Sequence, residues 1–133
     1  MDGPALRRDA AFTTLLDLAF WALGAAVLFG AGLALPYLHS GLRRPPWPVR
    51  LAHGGLGTMG LALLLLALHR GLPPSTMGTT GFGPAAAVFF ALALVLGLAL
   101  AVFRVRPAGV LVAFHAGLAI AGFVVLWTLL SLG

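Results

Sequence analysis

The sequence predicts an all-α integral membrane protein, a four-transmembrane-helix up-down bundle. Three observations carry that prediction. Hydrophobic residues make up 61% of the chain and charged residues 8%, against about 25% charged in an ordinary soluble domain, so polar groups cannot cover its surface. Four apolar runs each approach the roughly 20 residues that a helix needs to cross a bilayer. The joints between the runs are short and carry Pro45, Pro46, Pro48, Pro73, Pro74, Pro84 and Pro107, where proline starts helices or turns the chain. Short joints leave consecutive helices antiparallel, and the whole of 1–133 is read as one domain.

The first run covers approximately 12–38 and ends in "LPYLHSG". The preceding "MDGPALRRDAAF" imitates a signal peptide, but the run is read as a retained first span. Asp17 is its one carboxylate, with Thr13 and Thr14 nearby. Such a residue serves a proton relay or quinone site, or hydrates a helix end at the interface. The second run covers approximately 50–69, after "RRPPWPVR". Residues 70–84, "RGLPPSTMGTTGFGP", read as an irregular surface loop in which Met77 and Phe82 are placed to dip into the interface. The third run covers approximately 84–103 and the fourth 108–131. Trp21, Tyr37, Trp47 and Trp127 fall mostly near helix ends, as an aromatic belt requires.

The 8 basic residues are all arginine and face 3 acidic ones, Asp2, Asp9 and Asp17. The isoelectric point near 11.8 does not imply nucleic acid, because the arginines sit in short loops beside apolar runs, where they act as topology and headgroup signals. Arg43, Arg44, Arg50, Arg104 and Arg106 fall on one membrane face; Arg7, Arg8 and Arg70 fall on the other, diluted by Asp2 and Asp9. The positive-inside rule then puts both termini outside the cytoplasm of a bacterial-type inner (plasma) membrane. With 0 Cys, disulfides, c-type haem, thiolate zinc sites and all-cysteine iron–sulfur clusters are excluded. Paired carboxylates, a Ser-His-Asp set, a phosphate loop and HExxH are likewise missing from the sequence, which leaves a hydrolase or transferase almost nothing to work with.

One pattern recurs. "AHGGLGTMG" (52–60) and "FHAGLAIAG" (114–122) share His-x-Gly-Leu, then three residues, then Gly. His53 and His115 lie near the starts of helices 2 and 4, which begin on the same face. At 1.5 Å rise per residue their imidazoles come within about one turn in depth, the geometry for two ligands on opposite sides of one iron. Positions i+4 and i+7 share the face of i: Gly57 and Gly60 below His53, Ala119 and Gly122 below His115. A flat macrocycle between helices needs such bare backbone. Arg50, one turn before His53, is the best cation for an acidic edge. The competing reading is packing alone, since small residues at intervals of four also bring membrane helices together; Ala26 and Gly30 form such a row, as do Ala113, Gly117 and Ala121. His39 reads as interfacial, and His69 lies at the far end of helix 2 without a matching histidine. A loose echo of Leu23, Gly24 and Val27 in Leu96, Gly97 and Val102 suggests two tandem helical hairpins.

A four-helix bundle with His53 and His115 at matching ends of two helices resembles the small membrane-bound b-type cytochromes, such as the cytochrome b subunits of hydrogenases and formate dehydrogenases. The resemblance implies one haem b held by His53 and His115. It further implies electron transfer between a redox partner, in the membrane or periplasm, and the quinone pool. Many of those relatives hold two haems on four histidines, a set this chain cannot match. The protein would then be an electron-transfer subunit more than an enzyme on its own. The alternative is a cofactor-free accessory subunit of a larger respiratory or photosynthetic membrane complex, its histidines hydrogen-bonding across helices or one of them ligating a pigment. A small transporter is disfavoured by the lack of broken helices or a charged midplane site.

Overall fold

Each apolar run is one helix. The computed structural model describes residues 4–40, 45–71, 80–103 and 108–132. Asp2, Arg43, Arg44, Pro73, Pro74, Met77, Arg104, Arg106 and Pro107 lie outside the described residues, as do the side chains of Arg7, Arg8, Asp9 and Tyr37. The helices are α1 (Pro4–Ser40), α2 (Trp47–His69), α3 (Phe82–Val102) and α4 (Ala108–Leu132). Each is long and apolar enough to cross a bilayer, with spans at Ala11–Pro36, Trp47–His69, Phe82–Val102 and Gly109–Leu132. The fold is therefore an all-α four-helix membrane bundle.

The ends follow local chemistry. α1 starts well before its apolar run, because Pro4 suits the first helical position and "ALRR" is made of strong helix formers. Pro36 lies inside the helix, as membrane helices tolerate. α2 starts at Trp47, a few residues earlier than the apolar run, with Pro46 as N-cap at φ −52° and ψ 146°. Pro48 falls in the first turn, where a missing N–H removes no helical bond. α2 ends where the Arg70 N–H bonds to the Leu66 and Ala67 carbonyls, and Gly71 follows at φ +91°, a left-handed conformation suited to glycine. α3 ends as Phe103 turns extended, at φ −91° and ψ 135°.

The bundle is two hairpins. α1 packs mainly on α2 and α3 mainly on α4, with thinner contact between α2 and α3 and between α1 and α4. The hairpins repeat one another in the core. Ala19, Leu23 and Ala26 on α1 correspond to Ala86, Phe90 and Ala93 on α3 at one constant sequence offset, and all six are buried. Gly60, Leu64 and Ala67 on α2 correspond in the same way to Gly122, Leu126 and Leu129 on α4, again all buried. Gly97 is thus the counterpart of Gly30, not of Gly24 as the loose sequence echo suggested. In an up-down bundle this makes α1 parallel to α3 and α2 parallel to α4, with a pseudo-two-fold axis along the bundle, as in membrane proteins built from parallel repeats.

Away from the histidines, Phe20 stacks on Phe123 with centroids 5.0 Å apart and meets Trp127 edge-on at 5.8 Å, clasping α1 to α4. Large apolar side chains such as Leu28, Val88, Val95 and Phe114 are exposed. A lipid-facing surface requires this, since lipid tails are as apolar as leucine.

Candidate functional site

His53 stands a turn and a half into α2 and His115 two turns into α4, and the bundle brings the two rings together. Their ring centroids are 5.9 Å apart and their planes 80° apart, an edge-to-face arrangement. Each ring is seated on the first helix of its own hairpin. An ideal Cβ on Gly30 would lie 2.8 Å from Cε1 of His53, and one on Gly97 would lie 2.9 Å from Cε1 of His115. An added Cβ at either place would force the imidazole to shift. One turn earlier the partners are again equivalent. His115 Nδ1 donates to the Ala93 carbonyl at 2.8 Å. The Ala26 backbone is the corresponding neighbour of His53, but His53 Nδ1 is buried without a completed hydrogen bond. Phe29 covers the His53 ring edge-on at 6.2 Å.

In the sequence, Ala26 and Gly30 read as a packing row, and Ala93 gives no signal of its own. Aligning the hairpins reveals both pairs as Ala-x-x-x-Gly cradles, one for each histidine. Filling a cradle has a measurable cost. Gly30→Ala and Gly97→Ala are each expected to destabilise the protein by about 1–3 kcal/mol through overpacking. Gly97→Ala has the larger effect because it also disturbs the Ala93–His115 bond. Gly32→Ala, where an added Cβ meets nothing within 4 Å, should be neutral or slightly stabilising. Thermal unfolding in detergent, followed by circular dichroism, measures all three.

Both rings open on a cavity of about 390 Å³ at the end of the bundle where α2 and α4 begin, within the size range of small-molecule sites. Among the residues singled out in the sequence, Arg50, His53, Gly57, His115 and Ala119 line it. Gly60 and Gly122 lie deeper and are covered. An added Cβ would meet Leu23 at 2.7 Å on one side, and Phe89 and Phe90 at 3.1–3.3 Å on the other. Their bare backbone admits core side chains of α1 and α3. Arg50 lines the site, and its Nε is buried without a hydrogen-bond partner among the described residues. Asp17, His39 and His69 are exposed and do not join the cavity.

Two imidazoles, one cation and an apolar wall can hold an acidic, flat or metal-bearing ligand. Two imidazoles that held one metal through bonds of about 2 Å would have centroids roughly 6 Å apart, close to the 5.9 Å seen here. A carbonyl bond at the distal ring nitrogen, as in His115, is the usual way a protein fixes a ligating imidazole. Among the described residues no three His, Asp or Glu side chains gather at one point, so a metal held here needs its remaining ligands from a macrocycle or another source. No protein-family model, curated protein or solved structure matches the chain.

Proposed function

We propose that this protein is a membrane electron carrier that binds one haem b between α2 and α4, with His53 and His115 as axial ligands. The observation that carries the reading is the imidazole pair, 5.9 Å apart, lining a cavity whose other walls are mostly glycine, alanine and larger apolar side chains, with Arg50 among them. Bound there, haem b supplies a one-electron carrier whose potential depends on ligand, charge and dielectric. The chain's residues supply the rest. Ala93 fixes the His115 ring, Gly30 and Gly97 set the depth of both rings, and Gly57 and Ala119 keep the space between the helices free of bulk. Arg50 faces an acidic edge, and the apolar wall excludes water.

With little mass outside the bilayer, the chain acts as a relay and not as an enzyme alone. It passes electrons between a redox partner in the membrane or periplasm and the quinone pool. The arginine distribution favours a bacterial-type plasma membrane with both termini outside the cytoplasm.

The test is a dithionite-reduced minus oxidised spectrum of protein made with ample haem and purified in mild detergent. A sharp b-type band at one haem per chain supports the reading, and no band overturns it. One observation favours a second reading, a cofactor-free accessory subunit of a larger membrane complex. The two rings are neighbours in an edge-to-face arrangement, and the His115–Ala93 bond ties α4 to α3, as packing histidines would. In that case the band is missing and a larger complex co-purifies.

A further inference from the structure

The two hairpins are alike in the core of the cavity and unlike at its rim. On α1 and α3 the inner lining is paired throughout, with Val27 and Ala34 matching Leu94 and Ala101 just as Gly30 matches Gly97. On α2 and α4, Gly57 pairs with Ala119 and His53 with His115, but Arg50 pairs with Val112. Beyond this paired core the cavity extends along α2 and the joint before it, at Pro45, Leu51, Gly54, Gly55 and Thr58, and along the end of α3, at Leu98 and Phe103. The α4 counterparts of Gly54, Gly55 and Thr58 are Ala116, Gly117 and Ile120, and none of them lines it. The extension is open. A Cβ added at Gly54 or Gly55 would meet nothing within 4 Å, and the Thr58 hydroxyl is turned back onto the Gly54 carbonyl at 2.8 Å, which leaves its methyl as the surface. Within a membrane-spanning bundle such an opening faces lipid, and the one described cation of the cavity stands on its α2 side.

We propose that the crevice between α2 and α3 is the door of the site. Through it a flat, apolar dicarboxylic acid of the porphyrin class passes sideways between bilayer and cavity, with an acidic group directed to Arg50. On the α1–α4 side, its pseudo-symmetric counterpart, the cavity has no such extension. Charge complementarity and shape agree on this occupant: its body is apolar like the wall, and its carboxylate answers Arg50, the described cation that lines the cavity. The inference rests on the haem reading for the identity of the ligand but not for the position of the door.

The repeat provides a matched pair of variants. Gly55 and Gly117 occupy the same place in the two His-x-Gly-Leu motifs, and both face open space, so tryptophan at either leaves the core untouched. Uptake of haemin and of metal-free protoporphyrin IX by the full-length apo-protein in lipid nanodiscs would be followed by absorbance and by fluorescence. Gly55→Trp is expected to slow uptake of both porphyrins at least tenfold, and Gly117→Trp to leave it within twofold of wild type. Arg50→Leu is expected to release protoporphyrin IX at least tenfold faster. Equal rates for the two tryptophan variants would overturn the door while leaving a wild-type b-type band, and with it the haem reading, intact. Protoporphyrin IX uptake that is sensitive to Gly55→Trp, in a protein that gives no b-type band, would keep the door and overturn iron ligation. If neither porphyrin binds the wild type, both fall.

Discussion

Alanine at His53 or at His115 is expected to abolish the b-type band of the reduced protein while leaving its helix content and detergent elution position unchanged. Both rings line a cavity and are not among the fully buried side chains Leu23, Leu64, Leu126 and Leu129, so truncation removes ligands without undoing the bundle. For His115 the loss includes one hydrogen bond to Ala93, worth about 1 kcal/mol net. For His53 it includes no completed bond at Nδ1. An axial pair acts as a unit, so each single variant should lose the low-spin band as completely as the double variant. Imidazole added to His53→Gly should restore part of it by occupying the vacated volume. If one variant keeps the full band, the two histidines are not ligands of one iron. Loss of helix content in either variant would mark them as packing residues.

Gly60→Leu is expected to prevent the first hairpin from closing, so that the variant gives aggregated material where the wild type gives a single species. At Gly60 an added Cβ would lie 2.7 Å from Leu23 Cγ and 3.1 Å from the Leu23 backbone nitrogen. A backbone atom cannot swing aside as a side-chain tip can. Gly60→Ala should already lower stability by roughly 3 kcal/mol, the upper end of ordinary overpacking. Gly122 is the counterpart, and its neighbours at 3.1–3.3 Å are side-chain atoms of Phe89 and Phe90, so Gly122→Ala should cost less. Gly117→Leu, in open space on α4, controls for a leucine in a membrane helix and should leave the protein monodisperse. Size-exclusion chromatography and chemical unfolding in detergent distinguish these outcomes. Similar losses at Gly60 and Gly117 would mean that helix propensity, not interhelical contact, governs both.

The fold class and the histidine pair are determined by the sequence itself. The solvent is set by composition: a chain with 8% charged residues must lie in lipid, and there every backbone group must be paired within a helix. Four apolar runs with short joints then allow little but an antiparallel bundle. Within it, the shared His-x-Gly-Leu motif puts His53 and His115 at matching depth, because rise per residue is a local property of the helix. Even Arg50 could be assigned to the site from its spacing to His53. The register between helices was out of reach, because small residues at intervals of four are compatible with several neighbours. Gly57 and Gly60 look alike in sequence, yet one lines a cavity and the other receives Leu23. Which of them stays bare depends on how far α1 slides along α2. The cradles at Gly30 and Gly97 come from other helices, distant in the chain, and are equivalent only through the constant offset between the two hairpins. The asymmetry of the rim also belongs to the tertiary structure. Arg50 opposite Val112 is visible as letters, but whether a crevice opens beside one helix and closes beside its twin depends on how the two hairpins lean together, and no single helix encodes that angle.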